Sequence, residues 1–118
     1  MYGAGSIGRH ILVDMYGLGE NFEDIDLVER ILTDAVNSEG FSILSTQLKK
    51  FEPQGMSILI LFIGSHLSIH TWPEEDYAAI DIFTCGTNNP DKVLRGIIDE
   101  LQPQWTDIRY LGRGKKRS

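Results

Sequence analysis

Two stretches of the chain place apolar residues at helical spacing. The first covers residues 24–39, where Asp26 and Glu29 resemble a capping box and Gly40 is a natural stop. The second covers Pro90–Leu101, with Asn89 as its cap and Pro90 in its first turn. Both predict amphipathic helices, whose buried stripes are Leu27, Val28, Ile31, Leu32, Ala35 and Val36 in the first and Val93, Leu94, Ile97, Ile98 and Leu101 in the second.

The rest of the chain is typical of β-strand. The predicted strands cover residues 9–16, 41–49, 57–63, 66–72, 77–84 and 107–111, and the polar residues 73–76 make a hairpin turn. Few helices and short turns favour an α+β fold, an antiparallel sheet with both helices on one face. Residues 58–63 of the third predicted strand are all apolar, so we expect strand 57–63 to be covered on both faces. The helices cover one face, and dimerisation would supply the second layer.

Size and charge narrow the class of protein. The chain has 118 residues, which suits one domain, predicted at 1–111 and followed by a basic disordered tail at 112–118. A net charge of −6 argues against a nucleic-acid-binding protein. The longest apolar run, residues 58–63, is far short of the ~20 residues of a membrane span. No secretory signal is visible and Cys85 is the single cysteine, so we expect a cytoplasmic protein.

Residues 64–86 concentrate the side chains that can carry chemistry. Two of the three histidines, two serines and the only cysteine lie there. A zinc site would use His66, His70 and Cys85, but on a strand the two histidines lie ~13 Å apart, which argues against a metal. A serine or cysteine hydrolase stays open, although neither Ser65 nor Ser68 lies in a nucleophile elbow. The glycine pattern at residues 3–8 precedes a strand, so it does not indicate a dinucleotide site.

A third scheme comes from a resemblance to a known family. The order and spacing of four motifs resemble the short prokaryotic S-adenosylmethionine decarboxylases, a family with an α/β sandwich fold whose protomers associate through their sheets. The motifs are residues 65–74, residues 77–86, Gly8-Arg9-His10, and Phe51-x-Pro53-x-Gly55-x-Ser57.

The resemblance implies a proenzyme that cuts itself between Gly64 and Ser65. The Ser65 hydroxyl attacks the Gly64 carbonyl, and loss of the α-proton splits the ester to leave dehydroalanine. Hydrolysis with loss of ammonia then gives a pyruvoyl group at the start of fragment 65–118, separate from fragment 1–64. His70 matches the base for the elimination, and Ser57 matches a residue that assists processing.

The same resemblance implies the reaction. The covalent pyruvoyl group serves as the electron sink for decarboxylation, so neither pyridoxal phosphate nor a metal is needed. Cys85 matches the acid that reprotonates the substrate carbon, Glu74 a carboxylate that binds the ribose hydroxyls, and Phe51 an aromatic that stacks on adenine. The implied substrate is S-adenosylmethionine, the product serves spermidine synthesis, and the implied assembly is a homodimer of cleaved protomers.

Several positions depart from the family pattern. Gly64 stands where glutamate is common, Glu75-Asp76 replaces an aromatic and a glycine, and Lys49 and Gln54 replace histidine and tyrosine. Added carboxylates would suit a basic amino acid, so an L-ornithine or L-arginine decarboxylase is the alternative substrate class. An unprocessed regulatory homologue is the non-enzymatic alternative.

Ser65 and His70 are five residues apart and lie on opposite faces of a regular strand unless a bulge intervenes.

Overall fold

The computed structural model describes residues 2–86 and 89–117. Within these residues, six strands and two α-helices occur in the predicted order. They are β1 Gly8–Tyr16, α1 Ile25–Ser38, β2 Ile43–Lys50, β3 Met56–Phe62, β4 Ser65–Trp72, β5 Tyr77–Cys85, α2 Pro90–Leu101 and β6 Trp105–Arg113, with short 3-10 helices at Glu20–Glu23 and Pro73–Glu75.

The strands form one sheet in the order β2-β3-β4-β5-β1-β6, and every neighbouring pair is antiparallel. Alternate residues of the inner strands are buried together with the apolar stripes of α1 and α2, so both helices cover the same face. We call this the helix face, and the opposite side the open face. The predicted fold class, an antiparallel α+β sheet with two helices on one face, is therefore confirmed.

Strand β3 carries apolar residues on both faces of the sheet, as its sequence predicts. Its even-numbered residues are buried on the helix face, but Leu59 and Leu61 are 50% and 49% exposed on the open face. Within a single chain β3 is covered on one side only, because neither helix packs on the other. An apolar strand of this kind leaves a surface that a second layer would cover.

The start of α1 differs from the predicted capping box. The helix begins at Ile25, so Asp26 lies within its first turn, and the cap is Asp24. The Asp24 carboxylate accepts hydrogen bonds from the amides of Asp26 and Leu27, at 3.1 and 3.2 Å. The other caps are as predicted: Gly40 follows the end of α1 with a φ of 82°, and Asn89 accepts a hydrogen bond from the Asp91 amide at the start of α2.

Replacing Asp24 with alanine is expected to lower the free energy of unfolding by about 1 kcal/mol, because two amides of the first turn lose their acceptor. Urea unfolding followed by circular dichroism would measure the change. Asp34→Ala, which removes the same charge from an exposed position in the middle of α1, is the matched control. An equal loss in both variants would mean that the cap contributes nothing.

The ordered fold extends beyond the predicted boundary at residue 111. Strand β6 continues through Arg113, whose carbonyl accepts a hydrogen bond from the Ile7 amide at 3.0 Å. The amide of Lys116 also donates to the Gly5 carbonyl at 2.9 Å. Strand β6 therefore runs two residues past the boundary predicted between 111 and 112. Within residues 2–86 and 89–117, neither helix is long and apolar enough to cross a membrane.

Candidate active site

The residues selected from the sequence form two groups at opposite ends of the sheet. One group surrounds the β3–β4 turn, and the other lies where β4 ends and β3 begins. Since β4 has eight residues, the two ends are about 24 Å apart. The first group is Gly64, Ser65 and Cys85, and the second is Ser57, His70, Phe51 and Glu74.

Ser65 is the first residue of β4 and pairs with Phe62 across a two-residue turn. Its side chain points to the helix face, where the residue is only 3% exposed. The Ser65 Oγ is buried and has no hydrogen-bond partner among the described residues. A buried hydroxyl without a hydrogen-bond partner lowers the free energy of unfolding by about 1–3 kcal/mol. A serine that served only for packing would therefore be unfavourable at this position.

Cys85 ends β5 on the open face and lies beside this turn. A Cβ atom added to Gly64 would lie 2.7 Å from the Cys85 Sγ, so the thiol packs directly against the Gly64 backbone. Gly64 has a φ of 66°, in the left-handed region that glycine adopts without strain. The thiol is thus the side chain that approaches the peptide before Ser65.

Ser57 and His70 are cross-strand partners on the open face. The Ser57 Oγ lies 2.6 Å from the His70 Nδ1, a short hydrogen bond. Pairing of β3 with β4 continues without a register shift from this pair to Phe62 and Ser65, which excludes a bulge. His70 and Ser65 of one chain therefore lie on opposite faces of β4, about 17 Å apart along the strand.

Phe51 and Glu74 lie in adjacent loops at the same end as His70. Phe51 follows β2, donates its amide to the Gly55 carbonyl at 2.8 Å, and is 45% exposed. Glu74 lies in the 3-10 helix after β4, and its Oε2 accepts a hydrogen bond from the Gln54 Nε2 at 3.3 Å. Gln54, a departure from the family pattern, thus orients the carboxylate that the resemblance selects.

The sequence did not predict a polar cluster on the open face, formed by His10, His66 and Asp81. His10 Nε2 bonds one oxygen of Asp81, and His66 Nε2 lies 3.6 Å from the other, so the three residues together could hold a metal ion. Arg113 Nη1 lies 3.0 Å from His10 Nδ1. A guanidinium only donates, so Nδ1 accepts and the proton on Nε2 goes to Asp81. With that proton in place, His10 Nε2 has no lone pair for a metal. Hydrogen bonds link Arg113, His10 and Asp81, and His66 lies just beyond hydrogen-bond distance of Asp81.

Four aromatic side chains also form a row across the open face, near the His70 end. Neighbouring rings lie 5.4, 5.1 and 4.7 Å apart, and the rings are Trp72, Tyr77, Tyr16 and Trp105 in the order of their strands. The Tyr77 hydroxyl donates to Asp14 at 2.6 Å, and this bond, together with burial, raises the pKa of Tyr77 to about 12. The row depends on strand register, so no local sequence signal could have revealed it.

The open face carries a shallow groove of about 530 Å³ beside His70. Its walls combine the exposed leucines of β3 with polar side chains of β2 and β4. These lining residues are Ser45, Gln47, Leu59, Ile60, Leu61, His66, Ser68 and His70. An apolar face that also holds the Ser57–His70 pair is suited to a partner or ligand that excludes water.

Comparisons of the sequence and of the fold with known proteins indicate the same family. Residues 9–114 match the S-adenosylmethionine decarboxylase family. A Bacillus anthracis protein named S-adenosylmethionine decarboxylase proenzyme 2 is 40% identical over 111 residues, covering 92% of this chain and 90% of that protein. The Methanococcus aeolicus S-adenosylmethionine decarboxylase proenzyme is 40% identical over 110 residues, covering 92% of this chain and 94% of that protein.

Two solved structures share the fold. The adenosylmethionine decarboxylase of Aquifex aeolicus VF5 superposes with a TM-score of 0.83 at 33% identity, covering 98% of this chain and 97% of that one. The Trypanosoma brucei enzyme superposes with a TM-score of 0.66 over 44% of its own length, and at 22% identity this likeness concerns the fold alone. The predicted family is therefore confirmed: the chain belongs to the S-adenosylmethionine decarboxylase family.

Proposed function

We propose that this chain is the proenzyme of a pyruvoyl-dependent S-adenosylmethionine decarboxylase, which supplies decarboxylated S-adenosylmethionine as the aminopropyl donor for spermidine. The observation that carries the proposal is Ser65, placed at the β3–β4 turn with a buried hydroxyl that has no partner among the described residues. Cleavage between Gly64 and Ser65 would give fragments 1–64 and 65–118.

The residues around the turn fit the formation of the group. The Ser65 hydroxyl attacks the Gly64 carbonyl carbon, and its oxygen takes the place of the amide nitrogen to form an ester. Removal of the Ser65 α-proton breaks the Cβ–Oγ bond and releases residues 1–64 as a carboxylate. Hydrolysis of the remaining dehydroalanine releases ammonia. A pyruvoyl group at this position supplies the electron sink that loss of CO2 requires.

Assignment of His70 as the base requires a second copy of the chain. His70 lies about 17 Å along the strand from Ser65 of its own chain, so it cannot reach that α-proton. Two open faces stacked about a two-fold axis that reverses strand direction would lay the Ser65 end of one sheet over the His70 end of the other. Burial of Leu59 and Leu61 would favour this homodimer.

The dimer also reunites the substrate-binding and catalytic groups. Phe51 and Glu74 of one protomer would then lie near the partner's Cys85, on the open face, and near the Gly64–Ser65 end of the partner's β4. The exposed ring of Phe51 would stack on adenine, and the Glu74 carboxylate held by Gln54 would accept hydrogen bonds from the ribose hydroxyls. The Cys85 thiol, next to Gly64, would return a proton to the substrate carbon.

The conformation of the β4–β5 turn favours S-adenosylmethionine over a basic amino acid. Asp76 has a left-handed backbone, and its Oδ1 accepts a hydrogen bond from the Leu18 amide at 3.0 Å. This carboxylate fastens the turn to the loop after β1, which is a structural role. One of the two added carboxylates that suggested ornithine or arginine is therefore already engaged.

Release of labelled CO2 from S-adenosylmethionine, L-ornithine and L-arginine would test the substrate. We expect S-adenosylmethionine to be turned over at least about 100-fold more efficiently, because only this substrate uses both Phe51 and Glu74. Faster release from either amino acid would overturn the substrate assignment and leave the cleavage chemistry standing.

A Glu74→Gln variant should raise KM for S-adenosylmethionine, since the amide accepts hydrogen bonds more weakly than the carboxylate. An unchanged KM would contradict the role of Glu74 in binding the ribose.

A further inference from the structure

We infer that Gly64 is a positioning residue, whose missing side chain leaves the room in which the Cys85 thiol lies beside the cleavage site. The inference rests on the proposed function, in which Cys85 is the proton donor. It assigns to Gly64 a role separate from supplying the carbonyl that Ser65 attacks.

The contact between the two residues leaves no space for a side chain. A Cβ atom on Gly64 would lie 2.7 Å from the Cys85 Sγ and 3.7 Å from the Cys85 Cβ. The first distance is shorter than real Cβ atoms tolerate, and the second is ordinary van der Waals contact. Because Sγ ends a side chain with one rotatable bond, the thiol would rotate away and the backbone would stay.

Rotation of the thiol would move it away from the position in which it can donate a proton to the substrate. A change of rotamer moves the Sγ by about 3 Å. A proton donor acts only within hydrogen-bond reach of the reacting atom, so such a shift uncouples the thiol from a substrate bound at residue 65. In this chain the Cys85 sulfur lies in the space that a side chain on residue 64 would take.

Gly86 provides a control for backbone strain. Its φ of 67° matches the 66° of Gly64, and it directly follows Cys85. A Cβ atom on Gly86 meets no described atom within 4 Å. Alanine at either position therefore carries the same left-handed strain, but only Gly64→Ala collides with the thiol.

Crystal structures of the uncleavable Ser65→Ala chain, with and without Gly64→Ala, would test the contact without any activity. We expect the Cys85 Sγ to move by about 3 Å in the double variant and to stay in place when Gly86→Ala is introduced instead. An unmoved sulfur in the Gly64→Ala structure would overturn the inference whether or not the enzyme is active.

Kinetics of the cleaved enzyme would test the consequence. Per cleaved chain, Gly64→Ala should lower kcat for S-adenosylmethionine at least about 10-fold with little change in KM, and Gly86→Ala less than about 2-fold. On a Cys85→Ala background Gly64→Ala should add no further loss, because the thiol that it displaces is absent. Equal losses on both backgrounds, or full kcat despite a displaced sulfur, would refute the positioning role. A wild-type chain that never cleaves would instead refute the proposed function, and the inference with it.

Discussion

Replacing Ser65 with alanine is expected to leave every chain uncut and to abolish CO2 release. Alanine keeps the backbone and the buried methylene position, but it has no oxygen to attack the Gly64 carbonyl or to become part of the pyruvoyl group. Intact mass spectrometry should show one full-length species. The wild type should show two fragments, residues 1–64 and residues 65–118. The second fragment should be lighter, by the mass of one ammonia molecule, than a fragment that begins with an ordinary serine.

The neighbouring serine of β4 provides the matched control. Ser68 lies three positions on and on the open face, so Ser68→Ala should cut as the wild type does. Cleavage at the same bond in the Ser65→Ala chain would contradict the mechanism. A wild-type chain that stays intact would instead favour the unprocessed regulatory homologue.

Mixing two inactive variants is expected to restore cleavage in one of them. A His70→Ala chain keeps Ser65, and a Ser65→Ala chain keeps His70, so neither alone should yield cut protein. In a mixed dimer the His70 of the Ser65→Ala chain can serve the Ser65 of its partner. Random pairing at equal expression places about half of the chains in mixed dimers, so up to about half of the His70→Ala chains should be cut.

The outcome of co-expression decides whether the site lies within one chain or between two. Mass spectrometry distinguishes the chains, and only the His70→Ala chain should be cut. The matched control pairs it with a partner that carries Ser65→Ala and His70→Ala together, which should give no cut chain. Absence of cleavage in the first mixture would refute the shared site. Full cleavage of His70→Ala on its own would refute the role of His70.

Much of the fold could be predicted because its signals are local. The apolar stripe of α2 and its Asn89-Pro90 start set the bounds that the structure has, Pro90–Leu101. The cap of α1 was misplaced because Asp24 and Asp26 are both capable caps, and only backbone geometry distinguishes them. The end of β6 was misplaced because Arg113 is held by distant Ile7 and His10, which composition does not reveal.

The sequence predicted which residues belong to the candidate site, but not how they are placed relative to one another. The family motifs selected Ser57 and His70, and strand pairing then joined them through a hydrogen bond. The role of Asp81 could not be anticipated, because it meets His10 and His66 only through the register of β1, β4 and β5. A period of two along each strand says which side chains share a face, and it says nothing about which strands are neighbours.

The sequence by itself determined the elements, the fold class and the family, since hydrophobic periodicity and motif spacing are properties of consecutive residues. Only the tertiary structure decided that Ser65 and His70 lie at opposite ends and on opposite faces of one continuous strand. It also decided that the Cys85 thiol lies against Gly64, a contact between residues that are distant in the chain. The physical reason is that strand register and side-chain direction follow from pairing across the whole sheet, which no single segment specifies.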